Sequence, residues 1–266
     1  MATTVTATDS IFRKGTQFSA RAFTGLIRPK NRILGDVLAG EIEAVGPEVT
    51  SFKPGDQVFG SSGTGFGAHT EYICLPEDGA LAIKPANLTY DEAVAVYDGT
   101  LTALPFLRDT ANIEPGQKVL INGASGSIGT AAVQLAKYFE ADVTGVCSKA
   151  NVELVKSLGA DNVIDYTQED FTEGDERYDV IFDAVGKMIS GLSKSKCQQA
   201  LNSDGVYLSV EMNRPDHPED LTFLAELVTA REIRPVIDRQ YPIEEIVDAH
   251  HYVETLRKKG NVILIL

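Results

Sequence analysis

QKVLIN (117–122), GASGSIG (123–129) and TAAVQLAKYFEA (130–141) decide the fold. The first is a short apolar run of strand type. The last places Ala132, Leu135, Ala136 and Phe139 at helical spacing. Between them stand Gly123, Gly126 and Gly129, with Ser125, Ser127 and Ile128 in the gaps. Glycines let a chain turn tightly and approach a ligand with no Cβ in the way. A helix N-terminus behind such a turn offers unpaired N–H groups and a positive dipole end, which together suit a pyrophosphate. The GxxGxxG spacing is a variant of the dinucleotide fingerprint, and taken alone it is equally a tight strand-to-helix turn with no ligand.

The flanking pattern favours the cofactor reading. ADVTGVC (141–147), DNVIDY (161–166), YDVIFDAVG (178–186) and DGVYLSV (204–210) read as four further strands. A short helix, NVELVKSLGA (151–160), is stopped by Gly159, and residues 187–202 read as helical. Alternating strands and helices predict an α/β, doubly wound parallel sheet with right-handed crossovers. An NAD site normally carries Asp or Glu near the end of the second strand, to accept from the ribose 2′-OH. Cys147-Ser148-Lys149-Ala150-Asn151 offers a hydroxyl, an ammonium and an amide instead. These suit a 2′-phosphate, so NADP(H) is expected over NAD(H). The alternative is a solvated Lys149 beside a helix-capping Ser148.

The flanks read differently. Residues 1–96 are expected to be mostly β, with short strands in GEIEAVGPEV (40–49), SFKPGDQVFG (51–60) and AHTEYICLP (68–76) and a loop at SSGTGFGA (61–68). Gly/Pro turns at this spacing suggest a barrel or sandwich. In the tail, PEDLTFLAELVTA (218–230) is helical, IRPVIDRQY (233–241) extended and PIEEIVDAHHYVETLRKKG (242–260) helical. NVILIL (261–266) reads as a buried strand returning to the first domain.

The chain has 266 residues, 43% hydrophobic and 23% charged, which suits one large domain or two modest ones. The net charge of −14 argues against nucleic acid and anionic membrane as partners. Cys74, Cys147 and Cys197 are scattered with no CxxC, so neither a disulfide scaffold nor a structural zinc lobe is readable. Scattered thiols, no run of 18 apolar residues and no secretory leader make a cytoplasmic setting the expectation.

GDVLAGEIEAVG (35–46), VTSFKPGDQVFG (49–60), PGQKVLINGASGSIGTAAVQLAKYF (115–139), SLGADNVIDY (157–166) and YDVIFDAVG (178–186) together resemble the medium-chain dehydrogenase/reductases, and most of all their zinc-independent quinone oxidoreductase branch. The resemblance covers nearly the whole chain. It implies a GroES-like β domain (1–96 plus 232–266) and a Rossmann domain (97–231), with NADPH in the cleft between them. It implies transfer of hydride to a quinone or an α,β-unsaturated carbonyl, a small-molecule substrate. It also places Tyr166 near the 2′-phosphate or the adenine and Val185 at the cofactor. Zinc-dependent relatives carry Cys where this chain has Thr6 and His where it has Asp36, so no catalytic metal is expected.

The chain also departs from the family pattern. It begins where relatives have already laid down their opening strands, and it is short between residues 210 and 220, where relatives carry sheet often used to pair subunits. A homodimer is therefore an open expectation, and a shortened, non-catalytic NADPH-binding protein is the rival reading. Tyr97 and Asp98 stand where relatives have Pro and a small or apolar residue. No residue is marked as the catalytic acid. His69 is a candidate proton donor or a plain surface histidine. Tyr72 is a candidate hydrogen-bond donor or half-buried packing. His250 and His251 are adjacent and point apart on a helix. Lys258-Lys259 is solvated charge or a phosphate contact. Ser125 lacks the His/Asp partners and the glycine spacing of a hydrolase.

Overall fold

The computed structural model describes residues 1–15, 32–212, 217 and 219–266. It divides into two compact units, Met1–Tyr97 with Leu221–Thr229 and Pro235–Leu266, and Asp98–Asp220 with Ala230–Arg234. The helix Asp220–Thr229 therefore falls almost wholly in the first unit, where the sequence placed it in the second. The short stretch after residue 210 lies partly outside the described residues, at 213–216 and 218.

The strands, in chain order, are β1 (Ala2–Thr4), β2 (Val37–Glu41), β3 (Gln57–Ser61), β4 (Leu81–Ile83), β5 (Lys118–Asn122), β6 (Asp142–Cys147), β7 (Asn162–Asp165), β8 (Tyr178–Asp183), β9 (Leu201–Ser209), β10 (Ile237–Pro242) and β11 (Asn261–Ile265). The first unit holds a six-stranded sheet of order β10-β11-β1-β2-β3-β4. The terminal strand β11 pairs antiparallel with β1, Thr3 opposite Leu264, and parallel with β10. Val262, Ile263 and Leu264 are fully buried, so the last strand is part of this core.

Three expectations for this unit are corrected. The strand at 40–49 instead spans Val37–Glu41 and ends before Ile42; Ala44 and Val45 are exposed. Residues 68–76 form no strand. The Thr70 hydroxyl donates to Gly67 O and Tyr72 O, and such local side-chain bonds compete with a ladder. The third expected strand is supplied by β4. Lastly, the region is not nearly all β. A helix spans Ala7–Lys14, set by a capping box between Thr6 and Asp9, and a longer one starts at Tyr90. Tyr97, on that second helix, packs edge-on against Phe59.

The second unit is built on a five-stranded parallel sheet of order β7-β6-β5-β8-β9. Its central strands carry continuous apolar runs because both faces are covered: Leu120, Ile121, Ile181 and Phe182 are all fully buried. The chain moves outward from β5 to β7, then restarts at β8 on the other side. That topological switch opens a crevice at the strand C-termini, where ligands bind in such sheets. The helical stretch expected at 187–202 is instead two single turns, Lys187–Ser190 and Lys194–Cys197, broken at Gly191 with φ +67°. Among the described residues, no helix is long and apolar enough to cross a membrane.

Candidate cofactor site

The site begins where β5 ends. The N–H groups of Gly123 and Ala124 both donate to Val146 O, at 3.1 and 3.0 Å, which stitches the turn to the end of β6. The three glycines do different work. Gly123 sits at φ +78°, and a Cβ there would lie 2.3 Å from Val185 Cγ2. A Cβ on Gly129 would lie 2.0 Å from Gly123 O, so this glycine lets the helix Ser127–Tyr138 close onto the turn. A Cβ on Gly126 would meet only Gly123 O, at an ordinary 3.5 Å. Gly126 is the helix N-cap at φ −79° and gives no side-chain cap, so the first-turn N–H groups of Ser127, Ile128 and Gly129 are not capped from Gly126.

The second element is the loop after β6. Ser148 leads into a single turn, Lys149–Asn151, closed by Asn151 N donating to Ser148 O at 2.8 Å. Asn151 Nδ2 donates to Ser125 Oγ at 2.9 Å. Asn151 Oδ1 is buried with no hydrogen-bond partner among the described residues. Two stretches that the sequence treated separately are thus one surface. Lys149 is exposed, and Tyr166 is 62% exposed with its N–H on Cys147 O. The structure therefore brings Ser125, Gly126 and Asn151 together, and sets Ser148, Lys149 and Tyr166 around the ends of β6 and β7.

Two carboxylates that the sequence reading passed over organise the same edge. Asp183, fully buried at the end of β8, accepts from Asn122 Nδ2 at 2.9 Å, Val185 N at 3.2 Å and Ser190 Oγ at 2.8 Å. Tyr207 OH also donates to it, and burial followed by the Asp183 charge pushes Tyr207 up to about 12. The signal available in the sequence was an acid closing the apolar run YDVIFD. The other is Asp165, the register partner of Cys147 across β6 and β7. Burial first, then Asp165, pushes the Cys147 thiol up to about 11, and burial does the same for Cys197; both stay protonated and are poor nucleophiles.

The alcohol dehydrogenase GroES-like domain family matches residues 1–85, and the zinc-binding dehydrogenase family matches residues 127–245. A quinone oxidoreductase of Pseudomonas aeruginosa is 31% identical over 87% of this chain and 81% of its own length. The chain belongs to the medium-chain dehydrogenase/reductase superfamily, in its quinone oxidoreductase-like branch. It is also similar to a 2-methylene-furan-3-one reductase of Solanum lycopersicum (32% identical) and to a chloroplastic NADPH-dependent alkenal/one oxidoreductase of Arabidopsis thaliana (29% identical). Each likeness covers 89% of this chain, which spans 64% of the length of each plant protein. Among solved structures, the quinone oxidoreductase from Coxiella burnetii superposes over 100% of this chain and 88% of its own, with a TM-score of 0.84 and 27% identity.

The medium-chain dehydrogenase/reductase frame makes zinc a question, and the residues here do not fit it. Thr6 is occupied as a helix cap: its hydroxyl donates to Asp9 Oδ2 at 2.8 Å and accepts from Asp9 N at 3.2 Å. Asp9 in turn accepts the Gly35 N–H beside Asp36. Among the described residues no three His, Cys, Asp or Glu side chains are grouped to hold a metal ion. A dinucleotide does fit, since it would meet a helix N-terminus whose cap residue, Gly126, has no side chain, and would give the buried Asn151 Oδ1 a polar partner.

The other candidates resolve into structural roles. His69 Nε2 lies 2.9 Å from Thr4 O, and its ring packs so closely under Gly35 that a Cβ there would be 2.2 Å away; it is no free proton donor. Tyr72 is 69% exposed, against the half-buried packing expected of it. His250 is buried and His251 exposed, so the pair does point apart. Lys258 Nζ donates to Gly260 O. Ser125 Oγ accepts from an amide and has no catalytic base on it.

Proposed function

We propose that this chain is an NADPH-dependent oxidoreductase that delivers hydride to a quinone or an α,β-unsaturated carbonyl compound without zinc. The observation that carries this is the surface formed by the Cβ-free turn at Gly126 and the amide of Asn151, whose Oδ1 is buried with no hydrogen-bond partner among the described residues. The turn 123–129 would bind the pyrophosphate through backbone N–H groups and the helix dipole. Ser148, Lys149 and Asn151 would surround the 2′-phosphate, with Tyr166 beside the adenine. Val185, packed on Gly123 and held through its N–H by Asp183, would border the cofactor. NADPH, when bound, supplies the hydride; the protein supplies orientation and a site from which water is excluded. Backbone N–H groups or a hydroxyl would polarise the acceptor carbonyl, since Thr6 and Asp36 replace two ligands of a Lewis-acid site. The names of the similar proteins support both acceptor classes, and three free cysteines suit a reducing cytoplasm.

The test combines two measurements on one preparation: direct titration with NADPH, and loss of its absorbance against a panel of quinones and enones. Hydride transfer to either class supports the reading. Tight binding with no turnover supports a non-catalytic NADPH-binding protein instead. Failure to bind NADPH overturns both.

A further inference from the structure

Residues 147–151 at the end of β6 hold no carboxylate, but the neighbouring strand brings one to the same edge. β6 and β7 run parallel, with Cys147 opposite Asp165 and Tyr166 N donating to Cys147 O at 3.1 Å. Asp165 therefore ends its strand level with the start of the Ser148–Asn151 turn. Its carboxylate is held in one orientation: Oδ1 accepts Thr167 N at 3.0 Å and Thr167 Oγ1 at 2.8 Å. The Lys149 charge acts on the same carboxylate. The Thr167 hydroxyl first, then these other contacts, hold it below the usual carboxylate range, so it is charged at neutral pH.

A 2′-phosphate bound by Ser148, Lys149 and Asn151 would arrive beside this fixed negative charge. It would also have to share the ammonium that Asp165 already attracts. A ribose 2′-OH carries no charge and meets neither cost. Both effects act on one cofactor only, so they change the ratio of affinities rather than binding as a whole. We propose that Asp165 is a specificity-determining residue that narrows the preference for NADPH over NADH by opposing the 2′-phosphate across the Lys149 turn. This rests on the cofactor reading given above. Asp165 differs from the acid of NAD sites, which stands at the end of the second strand and grips the 2′-OH directly. Here the acid stands one strand further out and works by repulsion and by drawing on Lys149.

The rival role is purely local: Asp165 as a cap for the turn at Thr167. Asp165→Asn separates the two, because it keeps an acceptor for Thr167 and removes the charge. The full chain is titrated with NADPH and NADH, and with the half-cofactors 2′,5′-ADP and 5′-AMP, at low and high salt. In Asp165→Asn, NADPH and 2′,5′-ADP should bind about three- to tenfold tighter, NADH and AMP should stay within about twofold, and the gain should shrink at high salt. Asp165→Glu, which keeps the charge, should stay near wild type, and Asp165→Ser repeats the test should the Asn variant fold poorly. An unchanged NADPH-to-NADH ratio in a folded, uncharged variant overturns the proposal and leaves Asp165 as a cap. A wild-type chain that binds none of the four ligands overturns the cofactor reading itself, a distinct result.

Discussion

Asn151 Nδ2 donates to Ser125 Oγ across 2.9 Å, which ties the loop after β6 to the glycine turn after β5. The bond makes one rigid surface from two loops 26 residues apart in sequence. Asn151→Ala removes it and removes the buried Oδ1, an acceptor for a cofactor hydroxyl. A hydrogen bond contributes about 0.5–1.5 kcal/mol net, and about 1.5–3 to a charged group. Affinity for NADPH should fall about tenfold or more by titration, while the melting temperature moves only slightly. An unchanged affinity in the folded variant would place the pair away from the cofactor.

The glycines of the turn should separate cleanly into binding and folding roles. A Cβ at Gly126 meets nothing nearer than 3.5 Å, whereas one at Gly129 would stand 2.0 Å from Gly123 O. Gly126→Val should keep the fold, within about 1 kcal/mol, and lose NADPH binding through the side chain placed before the helix N-terminus. Gly129→Val should cost about 3 kcal/mol or more, because backbone must move. Denaturation curves and NADPH titration of both variants check this, and a Gly126→Val protein that binds normally would put the pyrophosphate elsewhere.

The same contrast shows what spacing can and cannot report. The parallel sheet was legible because strands buried on both faces read as continuous apolar runs, and because helical spacing begins directly after the glycine turn. The β region was less so. Alternation does not reveal whether a segment has a ladder partner, and at 68–76 the Thr70 hydroxyl turns the chain instead. The helix Ala7–Lys14 carries few apolar residues, so only its Thr6/Asp9 capping pair marked it. Asp165 and Asp183 escaped notice for another reason. Their neighbours come from strand order, as Asn122 meets Asp183 and Cys147 meets Asp165, and no local pattern contains that order.

Arg231 follows the helix Asp220–Thr229 at φ +63°, a left-handed position that favours glycine. It makes no hydrogen bond or ion pair among the described residues. The left-handed conformation costs a side-chain-bearing residue about 1–2 kcal/mol, and glycine's greater freedom when unfolded offsets part of the relief. Arg231→Gly should therefore stabilise the chain by about 0.5–1 kcal/mol, a rise of a few degrees in melting temperature. A lower melting temperature would mean that the arginine makes contacts worth more than the strain.

His250 should give the stability a pH dependence near neutrality. It is buried, its Nδ1 has no partner among the described residues, and its ring stands edge-to-face on His69 at 6.1 Å. Burial above all lowers its pKa; Arg13 and His69 act the same way, and Asp9 and Glu254 act against. The unfolded chain, with histidine near pH 6.5, then binds the proton more readily than the folded one. The stability contribution is complete above about pH 6.5 and is lost as pH falls below it toward the lower folded value. Melting temperatures should drop between about pH 7 and 5.5 in wild type and stay flatter in His250→Gln. The separate loss near pH 4, where Asp161 and Glu254 give up pKa values lowered by Lys137 and Arg13, should remain in both. Identical profiles above pH 5 would remove His250 from the account.

Lys149 is the residue on which NADPH preference turns. It is exposed on the loop after β6, next to Ser148 and two residues before Asn151, and its charge is partly engaged by Asp165. A charge-assisted bond to a phosphate contributes about 1.5–3 kcal/mol, and solvent screening with the Asp165 competition favours the low end. Lys149→Ala should therefore lower NADPH affinity about tenfold and leave NADH nearly untouched. The loss should shrink as salt rises, because screening removes the same term from wild type. Ser148→Asp goes further: it repels the 2′-phosphate and offers an acceptor to a ribose 2′-OH. The Ser148→Asp/Lys149→Ala pair should then favour NADH. Titrations with both cofactors at two salt concentrations decide the matter. Equal binding of NADPH and NADH by wild type, with Lys149→Ala leaving their ratio unmoved, would make Lys149 a solvated surface charge and the 2′-phosphate assignment wrong.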